Sequence, residues 1–286
     1  MFSATKSIRK IGVYDRMDQG TSFENLPLAR CIPELCTEGS RFQNENKNRY
    51  SNVLPVDTTR VKISTGSDPT SDDYINANYV DLGGKTNPKL IACQAPIKDG
   101  RRNTESDFWL MVYQQRAPLI LMVTPLIEGS SIKSSSYWPF PDETRRFGSR
   151  AEDQLFVKCL SVIKEESWEI SRLLVGRTPE DPTPLEVIHI YYYGWYDFGT
   201  PKISDMRRIL DTTLEIWCEI SPTFEVPIVC HCSAGLGRTG TIAAILRHLF
   251  SGETALEAVK NIRKFRHGLV QNSSQYQFIL DFVGEK

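Results

Sequence analysis

The stretch from Ile228 to Thr241, IVCHCSAGLGRTGT, combines a thiol, an arginine and several glycines within a few residues. Five small or apolar residues separate Cys232 from Arg238. Glycines in such a loop let successive backbone N–H groups converge on one point. The planar fork of an arginine can hold two oxygens of a tetrahedral anion. The spacing therefore predicts a phosphate-binding loop with a cysteine at its floor.

The sequence on either side of this loop supports the same chemistry. The β-branched run EVPIVCHC predicts a strand before the loop, and TIAAILRHLF predicts a helix after it. A helix N-terminus adds unpaired N–H groups and the positive end of its dipole. That positive potential favours the thiolate form of Cys232, which is a nucleophile for phosphorus. The pattern indicates phosphoryl transfer to sulfur, while sulfur transferases and arsenate reductases, which also use thiol loops, stay open as alternatives.

Other phosphate and metal chemistries are less favoured. A nucleotide-binding P-loop needs a Lys-Ser/Thr pair after its glycines, and this loop has none. A loop without lysine also disfavours an inositol headgroup. Metal-dependent phosphatases need clusters of His and Asp, whereas the chain has only four His and none at ligand spacing. Cys31 and Cys36 stand alone in the sequence, and Cys230-x-Cys232 is too tight for a zinc pair. We therefore expect no metal and no cofactor.

Composition limits the class of protein. The 286 residues are 40% hydrophobic and 24% charged with a net charge of −1, which is typical of one globular domain over residues 1–286. This charge balance disfavours nucleic-acid or anionic membrane partners. The first residues lack the apolar core of a signal peptide, and no apolar run reaches the roughly 20 residues of a membrane span. With seven cysteines, an odd number, we expect a cytoplasmic protein with free thiols.

Hydrophobic periodicity gives the fold class. The segments PLILMVT, WEISRLLV and LEVIHIYYY predict strands. Helices are predicted after a variant capping box at Thr104–Asp107, from Ser204 and after Thr254. We predict an α/β fold: a single domain with a central twisted mixed β-sheet flanked by α-helices on both sides.

The run VCHCSAGLGRTGT resembles the signature of the tyrosine-specific protein tyrosine phosphatases, of the non-receptor type with a single catalytic domain. Further blocks resemble that family in its order: NKNRYSNVLPVDTTRV, DYINANYV, LIACQAP, DFWLMVY, IKSSSYWP, WYDFGTP and LVQNSSQYQF. The resemblance begins near Phe42 and leaves residues 1–41 as an N-terminal helical extension. It implies the protein tyrosine phosphatase fold and hydrolysis of phosphotyrosine in proteins.

The resemblance also implies a two-step mechanism. Cys232 would form a cysteinyl-phosphate, Arg238 would bind the phosphate, and Asp197 of WYDFGTP would act first as general acid and then as base. Water attack would be positioned by Gln271 with help from Gln275. Two further residues would act on the thiolate: His231 by helping to hold it, and Thr239 by favouring its departure.

The same resemblance implies a substrate pocket. Tyr50 would stack beside the substrate ring and make the pocket deep enough for phosphotyrosine alone, and Asn52 would contact the substrate backbone. Glu128 would hold Arg238, and Lys133 would approach Asp197 when its loop closes. The residues that surround the phosphate would be Ser233, Ala234, Gly235, Leu236 and Gly237. The implied partners are phosphotyrosine proteins of signal transduction, with phosphate, sulfate or vanadate as active-site anions.

The sequence departs from the family at a few positions. Tyr196 stands where the family usually has Pro, and Ala95 stands where Gly is common. Tyr196 has a free φ, so closure of the acid loop would cost more entropy. This residue keeps open the alternative of a pseudophosphatase that binds phosphotyrosine without turnover. A dual-specificity or lipid phosphatase is a third alternative, which Tyr50 and the lysine-free loop disfavour.

Overall fold

The computed structural model describes residues 22–64, 72–149, 153–195 and 199–285. Strands in these ranges belong to one large sheet and two short hairpins. The large sheet contains β1 (Arg60–Lys62), β2 (Tyr74–Asp81), β3 (Lys89–Cys93), β6 (Leu119–Met122), β9 (Thr144–Phe147), β10 (Leu155–Lys164), β11 (Trp168–Gly176), β12 (Leu185–Tyr192) and β13 (Ile228–His231). The hairpins are β4 (Lys98–Asp99) with β5 (Arg102–Asn103), and β7 (Ile127–Glu128) with β8 (Ser131–Ile132).

The large sheet is mixed, with strand order β1-β2-β3-β13-β6-β12-β11-β10-β9. Its centre is parallel, because β13 pairs in parallel with both β3 and β6, and β6 pairs in parallel with β12. Antiparallel strands extend the sheet on both sides. On one side β2 and then β1 follow β3, and on the other side β11, β10 and β9 follow β12. The strand that leads into the thiol loop, β13, therefore lies in the buried parallel centre of the sheet.

Helices cover both faces of the sheet. Within the described ranges they are α1 (Glu105–Gln114), α2 (Ile203–Ile220), α3 (Gly237–Ser251), α4 (Ala255–Ile262) and α5 (Ser273–Val283). Alternate residues of β13 point to opposite faces, as the period of a strand requires. Ile228 and Cys230 pack with apolar residues of α2 to α5, while Val229 packs on the other face with those of α1. The predicted α/β fold with a mixed sheet flanked on both sides is confirmed.

The predicted strands are confirmed. The predicted start positions of the helices are confirmed only in part. Thr254 caps α4 in a full capping box with Glu257, as predicted. The capping box predicted at Thr104 is wrong, because the hydroxyl of Thr104 accepts from the N–H of Ile97 at 2.9 Å instead. At the start of this helix, Oδ1 of Asn103 accepts instead from the N–H of Glu105 at 3.0 Å. The second helix starts one residue before Ser204, at Ile203.

Part of the N-terminal extension predicted over residues 1–41 lies outside the described residues. Residues 22–41 contain two single-turn 3₁₀ helices, Phe23–Asn25 and Pro33–Leu35. The seven cysteines all lie in the described ranges and carry free thiols. No helix in those ranges is both long and apolar enough to cross a bilayer.

Candidate active site

The loop after β13 is built on close backbone contacts that only glycine permits. Cys232 lies at the end of the strand with a side chain that is 5% exposed. Gly235 has a φ of +70°, and a Cβ there would lie 2.1 Å from the carbonyl oxygen of Cys93. A Cβ at Gly240, in the first turn of α3, would lie 2.2 Å from the backbone nitrogen of Val270. These contacts fix the loop against the neighbouring strand β3 and the segment before α5.

A buried arginine holds the back of the loop. The guanidinium of Arg266 is fully buried and donates to the carbonyl oxygens of Gly235 at 2.9 Å and Ala234 at 3.1 Å. It also donates to the side-chain oxygens of Asn76 and Asn78. In a planar trans peptide the N–H points opposite to the C=O. Because both carbonyls face Arg266, the N–H groups of the following residues face the opposite way, where an anion can accept from them.

The loop leads directly into α3, which begins at Gly237. Leu236 precedes the helix, and its carbonyl accepts from the N–H of Gly240 at 2.8 Å and that of Val270 at 3.2 Å. Arg238 and Thr239 occupy the first turn and are buried. The helix dipole is therefore directed with its positive end at the loop, which strengthens the attraction for an anion.

Arg238 is oriented by two acceptors from a different part of the chain. Its guanidinium donates to Oγ1 of Thr124 and to Oε1 of Glu128, both at 2.6 Å. The second oxygen of Glu128 lies 3.4 Å from Nζ of Lys133. Glu128 thus lies between two cations, and its side chain is only 8% exposed. This geometry restricts the guanidinium to one orientation beside the thiol.

The structure brings Cys232 and Arg238 together in one cavity of about 270 Å³. Predicted residues that also line it are Tyr50, Asn52, Lys133, Ser233, Ala234, Gln271 and Gln275. Gly235, Leu236 and Gly237 belong to the loop behind the cavity, and Glu128 reaches it through Arg238. Two lining residues, Val53 and Gly199, were not predicted. The cavity has the size of a small-molecule or side-chain pocket with an anion site at its floor.

Tyr50 stands at the rim, 36% exposed. Its hydroxyl lies 2.8 Å from Oγ of Ser233, which itself donates to the carbonyl of Lys133 at 2.9 Å. Since the only hydrogen on Oγ is used there, Tyr50 is the donor in the first bond. The neighbouring Arg49 donates to the carbonyls of Ala95 and Pro96, which anchors this segment beside the loop.

Gln271 and Gln275 lie close to the start of α3. Oε1 of Gln275 accepts from the N–H of Gln271 at 2.8 Å. A Cβ at Gly237 would lie 2.6 Å from the amide nitrogen of Gln275 and 2.7 Å from Oε1 of Gln271. A side chain at Gly237 would therefore displace both glutamine amides. The two amides face the same cavity as the thiol and can bind a water molecule there.

A chain of hydrogen bonds supports the thiol residue from behind the sheet. Nδ1 of His231 lies 3.0 Å from the carbonyl oxygen of Cys232, so Nδ1 carries the hydrogen and Nε2 is the acceptor. The hydroxyl of Tyr137 lies 2.7 Å from that Nε2 and 2.9 Å from Nε2 of His189. Tyr137 therefore donates to His231 and accepts from His189. The backbone of Cys232 is fixed by this buried chain.

Both histidines are neutral at physiological pH. Burial lowers the pKa of His231 to about 4, although the hydrogen bond to Cys232 opposes this shift. Burial, with the nearby His231 as a smaller cause, lowers the pKa of His189 to about 3. Burial also raises the pKa of Tyr137 well above its usual value. His231 thus acts on Cys232 through a hydrogen bond and not through a positive charge.

Asp197 and Tyr196 lie outside the described residues. The nearest described residues on either side are Trp195 and Gly199. Trp195 is fully buried, and its indole N–H donates to the carbonyl of Gly199 at 2.9 Å. Gly199 lines the cavity.

Sequence reasoning missed three supporting residues: Arg266, Thr124 and Tyr137. Arg266 lies in the basic run RKFRH, and arginines in such runs are usually exposed. Thr124 and Tyr137 lie more than 90 residues from the loop in sequence, and they reach it only through tertiary structure. A signal for Tyr137 was present in IKSSSYWP, one of the blocks that resemble the family.

Comparison with known proteins identifies the family that the sequence resembles. The sequence model described as Protein-tyrosine phosphatase matches residues 44–285. The chain is 36% identical over 247 residues to rat receptor-type tyrosine-protein phosphatase C, covering 85% of this chain and 18% of that protein. It is 34% identical over 250 residues to Arabidopsis thaliana protein-tyrosine-phosphatase PTP1, covering 84% and 70% of the two chains. The match to Dictyostelium discoideum tyrosine-protein phosphatase 1 is 35% identical over 217 residues, covering 73% and 40%.

The chain thus spans about a fifth of the length of the receptor-type relatives it matches and 70% of the plant protein. The matched region contains both the thiol loop and every described residue that lines the cavity. The chain belongs to the protein-tyrosine phosphatase family.

Proposed function

We propose that the chain removes the phosphate group from phosphotyrosine in proteins, through a cysteinyl-phosphate on Cys232. One observation carries this proposal. Cys232 and Arg238 line a single cavity, the N–H groups of the loop point away from Arg266, and Tyr50 stands at the rim. A thiol, an anion site and an aromatic wall are the parts that an aryl phosphate needs. The names of the relatives, which are tyrosine phosphatases, support the same activity.

In the first step the sulfur of Cys232 attacks phosphorus. An S–P bond forms while the bond between phosphorus and the tyrosine oxygen breaks. Asp197, proposed as the general acid, gives its proton to that oxygen, because an unprotonated phenolate is a poor leaving group. The loop N–H groups and Arg238 stabilise the charge on the three equatorial oxygens.

In the second step a water molecule attacks phosphorus and the S–P bond breaks. Gln271 and Gln275 are proposed to orient this water, since both amides line the cavity. Asp197, now a carboxylate, accepts the proton of the water, and inorganic phosphate leaves. Thr239 is proposed to favour departure of the thiolate, and it lies buried in the first turn of α3 next to Arg238.

The position of Tyr50 supports selectivity for phosphotyrosine. The thiol is 5% exposed at the floor, while Tyr50 at the rim is 36% exposed. A phosphate on a phenol ring can reach the floor past this rim, whereas the shorter side chains of phosphoserine and phosphothreonine cannot. Asn52 also lines the cavity and is proposed to contact the peptide backbone of the substrate. We further propose a cytoplasmic role in signal transduction, with phosphate, sulfate or vanadate bound at the loop as active-site anions.

The test compares phosphate release from matched phosphotyrosyl and phosphothreonyl peptides. We expect turnover of the first peptide only. Cys232→Ser should reduce release to the background rate, and rapid quenching of the unmodified chain should trap phosphate on Cys232. Asp197→Ala should lower kcat strongly and still hold the peptide. Normal turnover by Cys232→Ser would refute the mechanism.

The pseudophosphatase alternative predicts a different result in the same experiment. Such a chain would bind the phosphotyrosyl peptide and release no phosphate from it or from p-nitrophenyl phosphate. We expect release in buffer that contains a chelator, since the proposed chemistry needs no metal ion. Tight binding with no release from either substrate would identify a binding module.

A further inference from the structure

Two cysteines and a histidine meet outside the cavity. One ligand atom from each of Cys31, Cys36 and His267 lies within 4.8 Å of the other two. No local pattern predicts this group, because His267 lies 231 residues after Cys36. In the described part of the chain, no other set of three His, Cys, Asp or Glu side chains converges in this way. Cys36 and His267 are buried, and Cys31 is partly exposed.

The spacing of the three ligand atoms is close to that of a metal centre. Zinc bonds of about 2.3 Å to sulfur and about 2.0 Å to nitrogen place tetrahedral ligand atoms roughly 3.5–3.8 Å apart. Sγ of Cys36 already lies 4.0 Å from Nδ1 of His267. Movements of well under 1 Å would therefore bring these two atoms to bonding distance around one ion. The ligand atom of Cys31 lies within 4.8 Å of both.

The histidine presents the correct atom. The N–H of Ile32 donates to Nδ1 of His267 at 3.2 Å, so Nδ1 carries the lone pair. A bound ion would take this lone pair, and the N–H of Ile32 would have to find water or another acceptor. The free energy lost in such an exchange of one hydrogen bond is small beside the free energy of structural zinc binding.

We propose that Cys31, Cys36 and His267 form a binding site for a thiophilic divalent cation such as Zn²⁺. Two sulfurs and one imidazole nitrogen match the preference of zinc, whereas Mg²⁺ and Ca²⁺ prefer oxygen. Binding replaces the proton of each thiol by a metal–sulfur bond and releases two protons to solvent. The two thiolates neutralise the charge of the ion, which allows the site to be buried. A water molecule would take the fourth position.

The site would join two distant segments of the fold. The N–H of Gly268 donates to the carbonyl of Leu28 at 2.8 Å, so the two segments already touch. His267 directly follows Arg266, which holds the carbonyls of the thiol loop. A bound ion would therefore fasten the N-terminal segment to the segment that supports the loop. We expect the ion to stabilise the folded chain without entering the cavity.

Titration with Co²⁺ tests the site, because tetrahedral cobalt with thiolate ligands has a characteristic absorption spectrum. The chain is prepared without a histidine tag, in the Cys232→Ser background and in reducing buffer, so that the active-site thiol cannot bind the ion. We expect one Co²⁺ per chain with thiolate-to-cobalt absorption, and displacement of that absorption by Zn²⁺. Absence of thiolate-to-cobalt absorption in folded protein would overturn the proposal.

Three variants separate this site from other thiols. Cys31→Ser should weaken Co²⁺ binding at least tenfold. His267→Asn keeps an acceptor for Ile32 and should weaken it similarly. Cys218→Ser is the matched control, because Cys218 is also a partly exposed free thiol, and it should bind like the background. Retained absorption in Cys31→Ser, or lost absorption in Cys218→Ser, would contradict the assignment.

Thermal unfolding provides a readout that does not depend on cobalt. Saturating Zn²⁺ should raise the Tm of the background protein by several degrees and leave that of Cys31→Ser unchanged. Circular dichroism of each variant without metal confirms that it is folded. The competing arrangement is a disulfide between Cys31 and Cys36. Recovery of that disulfide without added oxidant, together with no metal binding after reduction, would identify a redox pair and refute the metal site.

Discussion

The hydroxyl of Tyr137 donates to Nε2 of His231 at 2.7 Å, and the other nitrogen of this ring bonds to the carbonyl of Cys232. The phenol therefore selects the tautomer of the ring that can donate to Cys232. It also lies 2.9 Å from Nε2 of His189, so two buried imidazole rings depend on one hydroxyl. The backbone at the proposed nucleophile is positioned by a group that never reaches the cavity.

Removal of this hydroxyl tests its role. Tyr137→Phe leaves Nε2 of His231 as a buried acceptor without a donor, which costs about 1–3 kcal/mol of stability. We expect this loss in urea unfolding, together with a fall in kcat and a smaller change in KM, because Cys232 is less well positioned. Tyr113→Phe is the control, since Tyr113 is only partly buried and its ring lies against the guanidinium groups of Arg116 and Arg177. An unchanged kcat in Tyr137→Phe would show that the hydrogen bond has no part in catalysis.

The same two histidines predict how stability depends on pH. Folding lowers the pKa of His231 to about 4 and that of His189 to about 3, from 6.5 in the unfolded chain. Below pH 6.5 the unfolded chain therefore binds more protons than the folded chain. Stability should fall as pH drops from 6.5 towards 4, by up to about 1.4 kcal/mol per pH unit for each histidine.

His189→Gln isolates one part of this pH dependence. Glutamine keeps an N–H donor for Tyr137 and does not titrate. We expect the slope of unfolding free energy against pH, measured in urea at pH 7, 6 and 5, to decrease. The decrease should correspond to about one fewer proton taken up on unfolding. His248→Gln is the control, because His248 is on the opposite end of α3 and is not fully buried. An equal decrease in both variants would contradict the assignment to the buried pair.

The sequence was most informative where chemistry and local periodicity coincide. The strand β6 was found from a continuous apolar run, and all four of its residues are buried. The thiol loop was found because its glycines, its thiol and its arginine are neighbours in the chain. Cys232 and Arg238 could therefore be assigned to one site before any tertiary contact was known. The fold class followed from the same local patterns.

Contacts between distant segments could not be predicted from the sequence. Thr124 reaches Arg238 across 114 positions, and His267 reaches Cys36 across 231. Neither contact has a local pattern, since threonine and histidine occur in many environments. The capping error at Thr104 has a different cause. The hydroxyl of Thr104 accepts from the backbone N–H of Ile97. It is therefore not the acceptor for an N–H group in the first turn of the helix, as a cap would be.

Arg266 provides a test of the loop geometry. Arg266→Lys keeps the charge but cannot bond Gly235, Ala234 and both asparagines together. We expect kcat/KM to fall by about 10²–10³-fold, because the loop N–H groups lose their common direction. Vanadate should inhibit less strongly by a similar factor. Lys264→Ala is the control, since it removes an exposed cation from the same basic run and should leave both measurements unchanged.

Tyr196 gives a prediction that depends on the sequence alone. Replacement by proline fixes φ at this position and lowers the entropy lost when the acid loop closes. Tyr196→Pro should therefore change kcat more than KM, measured with a phosphotyrosyl peptide. The change should disappear in Asp197→Ala, where closure no longer delivers a proton. Equal kcat values for the two residues at position 196 would refute the idea.

A substitution at Glu128 tests how much the orientation of Arg238 contributes to anion binding. Glu128→Gln removes the charge that lies 2.6 Å from Arg238 and 3.4 Å from Lys133, and it leaves one buried and one partly buried cation facing a neutral amide. Breaking a buried ion pair in this way costs about 3–5 kcal/mol. We expect lower stability in urea and a rise of at least tenfold in the vanadate inhibition constant. Glu143→Gln is the matched control, because Glu143 pairs with Arg145 on the surface and should change neither quantity measurably. If Glu128→Gln lowered stability but left vanadate binding intact, the carboxylate would hold the fold and not the anion site.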